Sequence, residues 1–202
     1  MTWCLVGSEM CIRDSPDGFD EISITEMIDP EKDVDGFHPV NLGRIVTGKV
    51  DGLLPCTPSA VIHMLESTGE RLAGKKALVV GRSRIVGMPT ALLLAQKGVD
   101  ATVTISHSQS QDLQGLCLDS DIIVAAVGRP GMIKSDWVKE DAIVVDVGIN
   151  RVEVDGASKL VGDVEKEALE RASWMTPVPG GVGPMTIAML MRNTIKAASD
   201  RV

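Results

Sequence analysis

The sequence predicts an α/β fold, a mostly parallel sheet with flanking helices. Short apolar runs recur along it: K-A-L-V-V (residues 76–80), D-I-I-V-A-A-V (121–127) and A-I-V-V-D-V (142–147). None alternates polar with apolar residues, so each suits a strand covered on both faces. The segments between them have helical composition, and strands alternating with helices at this spacing imply βαβ units with right-handed crossovers. Composition agrees, since 44% of the 202 residues are hydrophobic and can fill a packed core.

Residues 1–15 show neither the helical nor the strand period and join abruptly to an acidic stretch. They read as an artefactual leader foreign to the fold, with a frayed native terminus as the alternative. Thr57 and Pro58, followed by Ala60, Val61, Met64 and Leu65, predict a helix with proline in its first turn and Gly69 beyond its end. A strand over 76–80 leads through a glycine-punctuated turn, 81–87, into an apolar helix over 88–97 that Gly98 stops. A second strand (101–105), a weaker helix (111–118), the third strand (121–127), a helical turn (134–138) and the fourth strand (142–147) follow. A helix over 164–172 is expected with Asp163 as its N-cap. A final helix over 184–198 follows the glycine-rich residues 177–183, with Met185, Met189 and Met191 packing on apolar surface.

A net charge of −8 argues against a nucleic-acid partner, because that affinity rests on phosphate neutralisation by Lys and Arg. A phosphate-bearing small molecule needs only one locally positive pocket. No apolar run reaches about 18 residues, so no membrane span is expected. Cys4, Cys11, Cys56 and Cys117 form neither a CxxC pair nor zinc spacing with histidine. Reduced thiols, no metal and a cytoplasmic compartment are the expectation, with an organelle left open.

The turn at 81–87 reads G-R-S-R-I-V-G, a variant of the G-x-G-x-x-G fingerprint with Gly81, Ser83 and Gly87 as its small residues. A strand there delivers backbone amides and a helix N-terminus to one point, where a pyrophosphate is favoured. The fold is therefore Rossmann-like. NAD sites commonly place an acid at the end of the second strand, but S-H-S (106–108) stands there and Arg82 lies in the first turn. A carboxylate would repel a 2′-phosphate, whereas Arg, Ser and His can donate to it, so NADP is expected over NAD. The plainer reading makes Arg82 and Arg84 solvated turn charges.

Beyond that turn the chain carries K-D-V-D-G-F-H-P (32–39), L-P-C-T-P (54–58), D-V-G-I-N (146–150) and T-P-V-P-G-G-V-G-P-M-T (176–186) in order. Together these resemble the bifunctional methylenetetrahydrofolate dehydrogenase/methenyltetrahydrofolate cyclohydrolase family, from about residue 22 onward. The resemblance implies two domains with a tetrahydrofolate one-carbon derivative in the cleft and NADP on the second. It implies oxidation of 5,10-methylenetetrahydrofolate by NADP+, then hydrolysis to 10-formyltetrahydrofolate, and a homodimer.

By the same resemblance Asp35 is the catalytic-side aspartate that meets the pterin, or else a turn residue before Gly36. Thr57 is a nucleotide-side contact or an N-cap. Gly81, Arg82 and Ser83 hold the phosphates, Ser108 lies near the adenosine ribose, and Ile149 packs near the nicotinamide or in the core. Pro179, Gly180, Gly181, Val182, Gly183, Pro184, Met185, Thr186 and Ile187 line the substrate side, unless the glycines only give a flexible entry to the last helix. Residues 16–56 then read as a remnant of the N-terminal α/β catalytic domain, 57–178 as the NADP-binding domain, and 179–202 as a loop and helix returning to the catalytic domain.

The family's first domain carries a Tyr-x-x-x-Lys helix, and this sequence contains no tyrosine. General acid–base groups typically supply about 10²–10⁴-fold in rate, so this chain is expected to be a poor catalyst. Asp146, His38 and His63 read as structural. The alternatives are a catalytically inactive NADP-binding and dimerising module, or another Rossmann dehydrogenase of shikimate type.

Overall fold

The computed structural model describes residues 20–154 and 156–199; the leader expected over 1–15 lies outside them. Helix α1 (Glu21–Glu26) opens under Asp20, whose carboxylate accepts the Ile22 amide at 3.1 Å. Helix α2 (Pro39–Val46) starts at His38, whose Nδ1 accepts the Val40 amide at 3.1 Å, so the structural reading of His38 holds. Pro39 suits the first helical position because it has no amide to satisfy. Then follow α3 (Cys56–Ser67), β1 (Lys76–Val80), α4 (Gly87–Leu94), β2 (Thr102–Ser106), α5 (Leu113–Leu118), β3 (Ile122–Ala125) and β4 (Ile143–Asp146). A hairpin, β5 (Asn150–Val154) and β6 (Ala157–Val161), precedes the short β7 (Trp174–Met175) and the long α6 (Val182–Ser199).

The main sheet runs β2-β1-β3-β4-β7 with every neighbouring pair parallel. From β1 the chain crosses to β2 on one side and then to β3 on the other. The order therefore reverses between β1 and β3, the position where open α/β sheets bind ligands beyond the strands' carboxyl ends. The predicted Rossmann-like α/β class is what the chain adopts.

Strand alternation divides the core in two. Ala77, Val79, Ile122, Val124, Ile143 and Val145 face α3, α4 and α6, meeting Val61, Leu65, Leu94 and Met189. Leu78, Val80, Ile123, Ala125 and Val144 face the other way, onto Cys117, Ile133, Val138, Val164 and Ala168. Burial on both faces explains why these strands read as unbroken apolar runs.

Three expectations need correction. Helix α4 ends at Leu94, not at residue 97, because the Leu94 carbonyl accepts the Ala101 amide at 3.1 Å and draws the chain into β2. The helix expected over 164–172 is a 3₁₀ turn, Lys166–Glu170, and Glu165 rather than Asp163 precedes it. Of the methionines on α6, Met189 is buried and Met185 packs on the core, but Met191 is exposed.

Ile123 is fully buried at the centre of β3. Ile123→Ala is expected to cost about 2–5 kcal/mol of stability, the range for emptying a rigid core site, read from urea unfolding midpoints.

Candidate nucleotide-binding site

Val80, Ser106, Ala125 and Asp146 end their strands in register and form one carboxyl edge. The Gly81 amide donates to the Ser106 carbonyl at 2.9 Å, and the Ala126 amide to the Val80 carbonyl at 2.8 Å. Gly81 has φ +118°, and a Cβ there would run into the Ala126 carbonyl oxygen. A Cβ on Gly87 would strike the Gly81 carbonyl in the same way. Glycine is thus required at both ends of the turn by close backbone approach.

Within the turn, the Ser83 hydroxyl accepts the Val86 and Gly87 amides, each at 3.2 Å. It does the work of an N-cap for α4 as well as keeping the turn small. Among the described residues, no protein acceptor takes the amides of Arg82, Ser83 or Ile85. These donors stand at a helix start on the switch-point edge, where a phosphate is stabilised. The Ser106 hydroxyl, only 1% exposed, also lacks a protein partner. The edge fits a doubly phosphorylated ligand. Arg82 and Ser108 are both exposed and leave this edge from adjacent strands.

Opposite the turn, a pair of carboxylates fixes the remaining loops. Asp146, at the end of β4, accepts the amides of Gly148, Asp163 and Val164, all at 2.9 Å. Asp163 in turn accepts the amides of Val127 (2.7 Å), Gly128 (2.9 Å) and Arg129 (2.8 Å), and the Asn150 side-chain amide (2.8 Å). Gly148 and Gly162 have no Cβ because one would enter the Asp163 and Asp146 carboxylates respectively. Sequence reasoning took Asp163 for a helix cap and missed the part Asn150 plays beside it. The available signal was an acid set beside glycine in both D-V-G-I-N and V-G-D-V.

A second group of expected residues lies where α3 and α6 begin. Thr57 is not an N-cap, since Pro55 precedes the helix; its Oγ1 instead accepts from the Thr186 hydroxyl at 3.2 Å. The backbone carbonyl of Asp35 accepts the Cys56 amide at 3.2 Å. Gly36, with φ +79°, packs its α-carbon against the Leu54–Pro55 peptide. Ile149 is exposed rather than in the core, and its Cδ1 lies 3.6 Å from where a Gly183 Cβ would stand. Thr176 pins the start of the 177–183 loop by accepting the Asp146 amide at 2.8 Å. Pro179, Gly180, Pro184 and Ile187 are exposed, Gly183, Met185 and Thr186 half-buried, and Gly181 and Val182 buried. Burial pushes the Cys56 thiol up to about 12.

Turn, switch point and open amides define the class: an α/β domain with a dinucleotide-binding type of edge. The family model described as tetrahydrofolate dehydrogenase/cyclohydrolase, NAD(P)-binding domain, matches residues 55–202, and the chain belongs to that family. It is 59% identical over 176 residues to a bifunctional protein FolD 2 of Geobacter sulfurreducens, covering 87% of this chain and 60% of that relative. The bifunctional FolD of Paramagnetospirillum magneticum is 54% identical, over 91% of this chain and 62% of the relative. The chain thus spans about three fifths of the curated relatives it matches.

Among solved structures, the FolD methylenetetrahydrofolate dehydrogenase/cyclohydrolase of Campylobacter jejuni superposes with TM-score 0.88 at 42% identity, covering 98% of this chain and 73% of that one. The Trypanosoma brucei dehydrogenase-cyclohydrolase, solved with NADP and an inhibitor, gives 0.84 at 37% identity, over all of this chain and 74% of that one. The family match sets aside a shikimate-type dehydrogenase. No helix among the described residues is long and apolar enough to cross a membrane.

Burial pushes the Asp146 carboxyl up to about 6, against three amide donors that oppose the shift. The neutral form is thus favoured on folding. Its stabilising contribution is full below the ordinary value of 3.8 and is lost as pH rises through about 6. The Asp146 carboxyl carbon is expected to titrate near pH 6 by NMR, well above an exposed aspartate.

Proposed function

We propose that this chain holds NADP at the carboxyl edge of β1, β2 and β3. The protein it represents oxidises 5,10-methylenetetrahydrofolate to the methenyl form and hydrolyses that to 10-formyltetrahydrofolate. The observation that carries this is the Gly81 turn: a position closed to any Cβ, with open amides at the start of a helix on the switch-point edge. Membership of the tetrahydrofolate dehydrogenase/cyclohydrolase family supplies the substrate class.

NADP+ would accept a hydride from the methylene carbon, after which water adds to the resulting cation with loss of a proton. This chain's residues bind and orient. The amides of Arg82, Ser83 and Ile85 take the pyrophosphate, and the Arg82 guanidinium with Ser108 takes the 2′-phosphate. Thr57 and Ile149 flank the nicotinamide. Asp35 accepts from the pterin, and residues 179–187 close the substrate side. Residues 16–56 serve as part of the catalytic domain, 57–178 as the nucleotide domain, and 179–202 return to the catalytic side. The homodimer belongs to the same proposal and is read by sedimentation.

A second reading is a nucleotide-binding module without turnover. It rests on the same Gly81 turn and open amides, which can hold a nucleotide with or without turnover.

Titration is expected to show NADP+ binding more tightly than NAD+. Arg82→Ala should cost about tenfold in NADP+ affinity, the scale of a hydrogen bond to a charged group, with little effect on NAD+. Gly81→Ala should abolish binding of both. NADPH formation on adding methylenetetrahydrofolate supports the enzyme, and binding without turnover supports the module. Binding of neither nucleotide overturns both.

A further inference from the structure

We propose that Asp163 is a positioning residue for the nucleotide: its carboxylate, set by Asp146 and Asn150, fixes the loop at 126–131 as the second wall of the NADP crevice. This rests on the NADP-binding reading above, which assigned the pyrophosphate turn and left the opposite wall unassigned.

The wall is defined by contact. Ala126 opens the loop at the end of β3, and its carbonyl oxygen fills the space a Gly81 side chain would need. A displacement of the loop is therefore transmitted to the phosphate turn. Three consecutive amides, Val127, Gly128 and Arg129, converge on one carboxylate reached from 34 to 36 residues further along the chain. Gly128 has φ +63° and Gly131 φ +56°, so the backbone turns twice through the left-handed region within four residues. The Gly131 amide donates to the Gly162 carbonyl at 3.1 Å and the Ile133 amide to the Asp163 carbonyl at 3.0 Å, closing the loop's far end on the same segment.

Four described donors meet the Asp163 carboxylate, and the residue is fully buried. Gly128, Arg129 and Pro130 of the loop are exposed. A buried anion with this many donors holds one backbone conformation, and losing the charge leaves amides unpaired in a dry interior. Asp163 does not touch the ligand in this assignment; it acts through the loop.

The test uses the 202-residue chain, with NADP+ as probe and melting temperature measured alongside. Asp163→Asn places an amide group against donors and is expected to weaken NADP+ binding by about tenfold or more. Asn150→Ala removes one donor, leaves the loop amides paired, and should weaken binding about threefold with a small change in melting temperature. Ile122→Val, at the opposite end of β3, serves as a control that loses stability without touching the edge.

Weaker binding in the first two variants and wild-type affinity in the control support the proposal. A uniform loss in all three, or wild-type affinity in Asp163→Asn, overturns it. If Asp163→Asn does not fold, Asn150→Ala decides, and unchanged affinity there overturns the proposal. If the unmodified chain binds no NADP+, the nucleotide reading itself has failed; if it binds and the variants bind equally, only the role of Asp163 has.

Discussion

Two aspartates buried within the domain hold its working edge together. Putting a carboxylate into a protein interior is costly unless donors replace the water it loses. Asp146 offsets part of that cost with three amides, and Asp163 is met by three amides and the Asn150 side chain. The Asp146 bonds tie Gly148 and the segment after β6 to the end of β4, and the Asp163 bonds tie the loop after β3 and the start of β5 to that segment. Hydrophobic packing builds the two halves of the core but has no preferred direction. These hydrogen bonds do, and they convert a generic parallel sheet into an edge with fixed loops. The glycines at 148 and 162 belong to the same device, since each leaves the space a carboxylate enters.

The functional edge follows from topology as much as from residue identity. With the order β2-β1-β3 the connections diverge at β1, and the turn after it faces an opening rather than a neighbouring crossover. Gly81 and Gly87 let that turn close tightly, and Ser83 satisfies two amides so that others stay open. The residues proposed for the substrate side are drawn together by another route, since the Thr57–Thr186 hydrogen bond joins the starts of α3 and α6.

What the sequence made legible was set by distance along the chain. β1, β3 and β4 are apolar on both faces, so each announces itself within a handful of residues, and the glycine turn stands out because it follows such a run. The β5–β6 hairpin carries no comparable apolar run: Arg151 and Glu153 are exposed, and so are Ala157 to Leu160. Asp163 was misread as a helix cap because its partners at 127–129 leave no local period. Thr57 could not be resolved between contact and cap, since its partner Thr186 lies 129 residues away. For Ile149 and residues 179–187 the proposed roles rest on family resemblance, by pattern rather than by physics.

Asn193, near the end of α6, donates to the carbonyls of Val34 and Leu54, both at 2.8 Å, across 159 and 139 residues. Closing loops of that length is among the slower events in folding, because chain entropy is spent before contacts repay it. During synthesis the sheet can assemble as each βαβ unit leaves the ribosome. The Val34 carbonyl also takes the Cys56 thiol from nearer in the chain, but its bond to Asn193 waits for α6. One side chain of α6 thus locks in place two stretches of backbone made well before it.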